Sequence, residues 1–306
     1  MKISVVIPVY NAEKYVQSAV ESALQQEECG EVILVEDQSP DNSLEVCRAL
    51  TKRHEKARLY QHEDGRNRGA GISRNLGIKK ARYDYVAFLD ADDFYLPNRF
   101  AKAGNILSQD SSIDGVYEAV GSEFENEEAR SRYFATHGSE IATIKEPLKP
   151  EILFYYMISG KYGYMHLDGF TARKEALLKV GMFPDLRLHQ DMVFFMKLAL
   201  TCRLLPGEIE RPVSLRRLHL QNRITNPHTN FRGTSFLAYE YLVKWMKEKN
   251  VESNKLNLVK TLYYRQRYKL HKRNSRYISA IMSYVYYHLF LKKYEEKRIH
   301  PEYIMK

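Results

Sequence analysis

The sequence predicts an α/β protein with a mostly parallel sheet flanked by helices and an α-helical extension at the C-terminus. The first hundred residues alternate short β-branched runs with stretches of helical periodicity, which is the pattern of βαβ units. Polar residues follow each of the buried runs directly. Residues 231–306 lack this alternation and carry aromatic and basic residues in long helical stretches. These observations predict an α/β body followed by helices.

The elements of the first hundred residues follow in a regular order. Strands are expected at residues 3–9, 32–35, 58–61 and 85–89. Helices are expected at residues 12–26, from residue 41 onward, at 72–80 and after Pro97. The opening MKISVVIPVYN lacks the apolar core and cleavage site of a signal peptide, so it is assigned to the first strand.

The remaining residues are less regular. A strand is expected at residues 115–120, and residues 121–150 are polar and are interpreted as an irregular excursion. Helices are expected near residues 174–180 and 191–200, with short strands within 208–220. The last segment predicts helices divided near residues 250–254 and near Asn274.

Composition narrows the class of protein. The chain has 306 residues with 44% hydrophobic residues and no low-complexity tract, which indicates a folded protein with a sizeable core. Its three cysteines, Cys29, Cys47 and Cys202, form neither a CxxC pair nor an even disulfide framework. A reducing compartment, and therefore a cytoplasmic location, is expected.

The net charge of +9 is concentrated at the C-terminus. From Phe231 onward the chain has 17 lysines and arginines against six acidic residues. Two interpretations stay open: the helices pack on the rest of the chain or on a second subunit, or they attach to an anionic membrane surface on the inner face of the plasma membrane. Residues 277–291 are too short and too polar for an ordinary membrane span, and no nucleic-acid-binding module accompanies the charge.

Ligand-competent residues follow four of the predicted strands. Ligands collect at the carboxyl ends of parallel strands, so the presence of such residues after four strands indicates a binding site at this edge of the sheet. The four stretches are Pro8 to Asn11, Glu36 with Asp37, the loop leading to Arg74, and Asp90 to Asp93.

The acidic cluster LDADD has two explanations. One carboxylate, best Asp93, is expected to cap the helix that begins near Pro97. Capping needs only one carboxylate, whereas Asp90 and Asp92 are separated by one residue and can face the same ligand. Oxygen donors suit Mg²⁺ or Mn²⁺ bound together with substrate phosphates. The first βα turn contains no GxGxxG, and no GxxxxGK[ST] occurs, so a nicotinamide enzyme and a P-loop protein are not expected.

The runs SVVIPVYNAEKYVQSAVESALQQ, VEDQSPDNS and RGAGISRNLGIKKARYDYVAFLDADD closely resemble the family 2 glycosyltransferases of GT-A type, in order and spacing. The resemblance is dense over the first hundred residues and weaker to about residue 225. It implies a Rossmann-like GT-A fold and inverting transfer from a nucleotide-sugar, most often a UDP-sugar. The acceptor implied is a glycan or lipid-linked hydroxyl, commonly in bacterial surface polysaccharide synthesis.

The resemblance also assigns donor residues. It places Pro8, Val9, Tyr10 and Asp37 around the nucleotide base, with Glu36 where an Asp is more usual. Arg74 matches a residue of the diphosphate region. The run Asp90-Ala91-Asp92 implies a ribose contact at Asp90, a donor contact at Ala91 and a metal ligand, for Mn²⁺ or Mg²⁺, at Asp92.

Two later segments resemble the family's catalytic parts. In HQDMVFFMKLAL, Asp191 matches the general base, although Gln190 replaces the Glu that usually precedes it. A carboxylate favoured by the helix dipole is the structural alternative for Asp191. In RRLHLQNRIT, Arg217 and His219 match residues that contact the phosphates or the metal.

The resemblance predicts a catalytic domain at residues 1–225 and a basic helical extension at 226–306. Within the first, residues 1–120 would bind the nucleotide-sugar and 121–225 would supply the acceptor side and the base. Two other classes were weighed: a nucleotidyltransferase, whose glycine-rich basic signature after the first strand is missing from PVYNAEKY, and a non-catalytic glycan- or membrane-binding module.

Overall fold

The computed structural model describes residues 1–135, 138–160, 162–220, 222, 231–273, 281, 282 and 285. The strands are β1 (Ile3–Val9), β2 (Cys29–Glu36), β3 (Ala57–Gln61), β4 (Tyr85–Phe88), β5 (Phe94–Tyr95), β6 (Gly115–Tyr117), β7 (Val120–Phe124), β8 (Phe170–Arg173), β9 (Leu204–Pro206) and β10 (Ser214–Leu218). The helices are α1 (Val16–Leu24), α2 (Ser43–Arg53), α3 (Ala70–Lys80), α4 (Ala101–Gln109), α5 (Glu127–Phe134), α6 (Pro150–Ser159), α7 (Lys174–Lys179), α8 (Gln190–Thr201), α9 (Phe231–Glu248) and α10 (Ser253–Arg273).

Seven strands form the main sheet in the order β3-β2-β1-β4-β8-β6-β9. The pairs among β1 to β4 are parallel, whereas β8 runs antiparallel to both β4 and β6. The central strand β1 is buried along its whole length because ISVVIPV is apolar at nearly every position and both faces of the sheet are covered. The mostly parallel α/β fold is therefore confirmed.

The spacing of apolar residues in helix α1 explains how this helix packs on the sheet. Its buried residues Val16, Ala19, Val20 and Ala23 recur at helical spacing and pack against the β1–β2 face. A second, three-stranded sheet β5-β10-β7 lies beside the first, with β10 parallel to β7 and antiparallel to β5.

The expected boundaries need corrections. The helix expected at 12–26 is α1, which begins at Val16, and the helix expected after Pro97 is α4, which begins at Ala101. The single strand expected at 115–120 is two strands, β6 and β7, which belong to different sheets. The first part of residues 121–150 is more regular than expected, because β7 pairs with β10 about ninety positions later and Asn126 caps α5, its side chain accepting a hydrogen bond from the backbone N–H of Ala129.

The first helix of the C-terminal extension packs into the core. Leu242, Trp245 and Met246 of α9 and Val259 of α10 lie in the same apolar cluster as the sheet and α8. The break between α9 and α10 falls where the sequence placed it, whereas the break expected near Asn274 and the segment 277–291 lie outside the continuously described part of the chain. Within the described residues, no helix has the length and apolar character that a membrane span requires.

Candidate active site

Arg74 lies at the centre of the site. Its side chain is almost entirely buried in the first turns of α3, where it forms an ion pair with Asp90 and approaches Oδ1 of Asp191 to 3.4 Å. Burial alone would lower the pKa of the Arg74 guanidinium, but the two carboxylates outweigh burial and raise it. The fold thus joins three residues that are far apart in sequence, and Arg74 stays cationic between two acids.

Asp191 occupies the first turn of α8, where the helix dipole favours a negative charge. Half of its side chain is exposed, so a substrate hydroxyl has access to it. The preceding residue, Gln190, is buried, and its Oε1 accepts a hydrogen bond of 3.2 Å from the backbone N–H of Gly71. A Cβ at Gly71 would lie 2.7 Å from that oxygen, so a larger residue here would displace the Gln190 amide.

Asp92 faces a second set of side chains. Its Oδ2 lies 3.5 Å from Nε2 of His219 and accepts a hydrogen bond of 2.9 Å from Asn222. Arg217 donates to the Asp92 carbonyl at 3.2 Å. Tyr15 stacks on His219 with ring centroids 5.1 Å apart and also lies under the Arg217 guanidinium. The residues predicted as phosphate or metal contacts therefore do meet the acidic turn.

Asp93 is turned into the protein. Its Oδ1 accepts a hydrogen bond of 2.8 Å from the backbone of Arg217, which ties the acidic turn to β10. Burial, followed by the neighbouring Asp168 carboxylate, raises the pKa of Asp93 well above its usual value. Burial and Asp90 likewise raise the pKa of Asp168 to about 7. Both shifts favour the protonated form of these two neighbouring buried carboxyls.

Most of the predicted nucleotide contacts lie below the surface. Pro8, Val9 and Ala91 are buried in the sheet and its adjoining cluster. Tyr10 is the exception, with 53% of its side chain exposed at the end of β1. Its ring is therefore free to contact a planar ligand at the carboxyl edge of the sheet.

The carboxylates of Glu36 and Asp37 support loops. Glu36 accepts hydrogen bonds from the Ser39 backbone at 2.6 Å and from the Gln61 side chain at 2.7 Å. Asp37 accepts from the backbone N–H groups of Arg68 and Gly69, both at 2.7 Å. These bonds organise the loop that leads from β3 to Arg74.

Two arrangements offer atoms for a divalent cation. Within the described part of the chain, Asp90, Asp93 and His166 present one ligand atom each, all within 4.8 Å of one another. Burial lowers the pKa of His166 to about 3, so its imidazole is neutral. Asp93, however, is committed to Arg217 and Asp168, and Asp90 to Arg74. The Asp92 and His219 pair also combines an oxygen with a nitrogen ligand, and although His219 is buried, Asp92 is partly exposed.

Sequence reasoning missed several residues of the site. His166, Asp168, Tyr15 and Asn222 reach it through tertiary packing. Two of them stand in segments already singled out for the resemblance: Asn222 in RRLHLQNRIT and Tyr15 in SVVIPVYNAEKYVQSAVESALQQ.

The fold and this arrangement define a GT-A-type glycosyltransferase. The model of the family described as "Glycosyl transferase family 2" matches residues 4–180, and the chain belongs to that family. An uncharacterised glycosyltransferase of Haemophilus influenzae is 25% identical over 251 residues, covering 80% of this chain and 79% of that protein. Other curated relatives match over 93 to 123 residues, which is 17% to 44% of their own length.

Solved structures show the same fold. Residues 1–349 of S. aureus TarS, solved in complex with UDP-GlcNAc, superpose with a TM-score of 0.67 at 18% identity, covering 92% of this chain and 79% of that one. A mannosyltransferase from Pyrobaculum calidifontis, solved with GDP-Man and Mn²⁺, gives a TM-score of 0.53 at 16% identity, covering 92% and 73%. Family membership sets aside the nucleotidyltransferase and the non-catalytic module.

Proposed function

We propose that the protein transfers a sugar from a UDP-sugar to a hydroxyl of a glycan or lipid-linked acceptor, with inversion at the anomeric carbon. The observation that carries the proposal is the convergence of Arg74, Asp90 and Asp191 beside the Asp92 and His219 pair. One face of the site thus offers a carboxylate base, and the adjoining face offers groups suited to a diphosphate and its cation. That division matches the two demands of glycosyl transfer.

In the proposed reaction, Asp191 accepts the proton of the acceptor hydroxyl as its oxygen attacks the anomeric carbon. The bond between that carbon and the diphosphate breaks on the opposite face, and UDP leaves with the electron pair. Arg74 stabilises the charge that develops on the leaving group. A well-placed base contributes roughly 10²–10⁴-fold to such a rate.

Asp92 and His219 would hold the divalent cation, Mn²⁺ or Mg²⁺. Their ligand atoms lie 3.5 Å apart, close enough for both to bind one ion, and Asp92 keeps part of its surface open. When bound, such an ion neutralises the diphosphate and makes it a better leaving group. Asp90 keeps Arg74 oriented and is proposed to meet the ribose.

The nucleotide base is proposed to lie at the end of β1, against the exposed ring of Tyr10. Asp37 and Glu36 act there by shaping the surrounding loops, and Pro8, Val9 and Ala91 form the floor. Residues 1–120 then bind the donor, 121–225 supply the acceptor side and the base, and 226–306 form the extension.

A role in bacterial surface polysaccharide synthesis at the inner face of the plasma membrane is proposed from what the family commonly does. The basic helix α10 is the part of the described chain that would meet anionic lipid. Salt-sensitive flotation with phosphatidylglycerol vesicles supports this location, and no flotation at low salt contradicts it.

A screen of nucleotide sugars tests the donor assignment. UDP-N-acetylglucosamine, other UDP-sugars and GDP-mannose are added with and without Mn²⁺, and the unfolding temperature is measured. The true donor stabilises the folded protein by mass action, so a UDP-sugar should raise the unfolding temperature only when Mn²⁺ is present. A response to GDP-mannose alone, or one independent of metal, would contradict the proposal.

A further inference from the structure

The catalytic carboxylate follows a residue in a disfavoured backbone conformation. His189, two residues before Asp191, has φ +62° and ψ +10°, in the left-handed region. This region is uncommon for residues other than glycine because the Cβ crowds the backbone. Contacts around His189 must therefore maintain its conformation, and with it the direction in which α8 starts.

The donor side provides one set of these contacts. Arg187 donates a hydrogen bond of 2.7 Å to the Asn67 carbonyl, and Gln190 accepts from Gly71. Both partners belong to the segment that leads into α3 and Arg74. The loop before α8 is thus held on the side where the nucleotide-sugar is proposed to bind.

Another contact comes from the C-terminal extension. Nε2 of His189 lies 3.2 Å from Oγ1 of Thr234, in the first turn of α9. Helix α9 is itself firmly seated, because its Leu242 and Met246 are fully buried in the core. Lys197 of α8 also contacts α9, with its ammonium 5.6 Å from the Trp245 ring. The position of Thr234 is therefore set by the packing of the whole helix.

We infer that α9 is a positioning element of the transfer reaction: Thr234 holds His189, and His189 sets the orientation of Asp191 against Arg74. This inference rests on the proposed role of Asp191 as the base. A misplacement of about 1 Å can cost a reaction roughly 10²-fold, so the loss of one such anchor is measurable. The extension that the sequence suggested for packing or membrane attachment would then also serve catalysis.

The test replaces the Thr234 hydroxyl by a methyl group of nearly the same size. The rate of UDP release from UDP-N-acetylglucosamine with Mn²⁺, or from the UDP-sugar that the donor screen selects, is measured together with donor affinity. Thr234→Val should lower turnover about tenfold and leave donor affinity within about twofold. Thr234→Ser retains the hydroxyl and should restore most of the rate.

Thr261→Val is the matched control. Thr261 is buried on α10, and its hydroxyl bonds to the Asn257 carbonyl within the same helix. This variant should lose a similar amount of stability without a change in turnover. If Thr261→Val slows turnover as much as Thr234→Val does, the effect of Thr234 is merely structural and the inference is wrong.

A double-mutant cycle with Asp191→Asn separates this inference from the proposed function. If Thr234 acts through Asp191, adding Thr234→Val to Asp191→Asn should cause no further loss. If Asp191→Asn loses turnover but Thr234→Val keeps normal turnover, the inferred role of α9 is wrong and the base assignment stands. Normal turnover in Asp191→Asn overturns the base assignment, and the positioning role with it.

Discussion

At the scale of single residues, the three aspartates of LDADD have different surroundings. Asp90 pairs with Arg74, Asp92 faces His219 and Asn222, and Asp93 is buried against the backbone of Arg217. The three carboxylates thus have different roles: one is the partner of Arg74, one is a candidate metal ligand and one is a structural tie. The alternation of exposure along the turn produces this division.

Asp92→Asn should weaken Mn²⁺ binding at least tenfold, because the amide keeps the shape of the side chain but removes its charge. Titration of Mn²⁺ in the presence of UDP, followed by calorimetry or electron paramagnetic resonance, measures this directly. Asp93→Asn is the control, and it should retain Mn²⁺ affinity because its carboxyl is directed to Arg217 and Asp168. The reverse order of effects would move the metal to the Asp90, Asp93 and His166 group.

The sequence anticipated those residues that stand beside a strand end. Asp90 and Arg74 were predicted from their places at a strand end and a helix start, Asp191 was assigned by the family resemblance, and the structure joins the three. Thr234 and Tyr15 could not be predicted in the same way, because their partners His189 and His219 are 45 and 204 positions away in the chain. Such contacts depend on how whole helices pack, and no local pattern records them.

At the scale of elements, strands whose burial depends on local packing were predicted from the sequence, whereas a strand that depends on a distant partner was not. β1 and β2 are buried along their whole length by local βαβ packing, and their apolar runs show it, whereas β3 at the edge of the sheet is only partly buried. β7 reads VGSEF, which is polar enough to look irregular, and its pairing with β10 stabilises it. Non-local pairing overrides the weak local preference of such a strand.

Lys197 on α8 provides a prediction about the packing of α9. Its side chain is fully buried, donates to the Met182 carbonyl at 2.7 Å and contacts the ring of Trp245. Burial, followed by Lys249, lowers the pKa of Lys197 to about 8 from 10.5. Between these two values the unfolded chain binds more protons than the folded protein, so the free energy of unfolding should rise with pH.

Lys197→Met removes this titration. Measured by urea unfolding from pH 7.5 to pH 10, the free energy of unfolding of the wild type should rise relative to that of the variant by about 2 kcal/mol. If the free energies of unfolding of the two proteins differ by a constant amount over this pH range, the prediction is wrong. Lys197 would then stay protonated in the folded protein as it does in the unfolded chain.

At the scale of the whole molecule, the candidate site draws on three regions of the chain. The proposed donor side is formed by the βαβ units of β1 to β4, the proposed base lies on α8, and the extension packs against α8 through α9. Since α9 carries buried core residues, removing all of residues 231–306 would expose apolar surface of the α/β body. Single substitutions are therefore better tests of the extension than its deletion.

Asp191 is proposed as the general base of sugar transfer, and Asp191→Asn tests this role. Donor affinity, measured by calorimetry with the selected UDP-sugar and Mn²⁺, should stay within about threefold of wild type. Turnover should fall by roughly 10²–10⁴-fold, because the amide cannot accept the proton. Full turnover in this variant, with donor bound normally, would contradict the account.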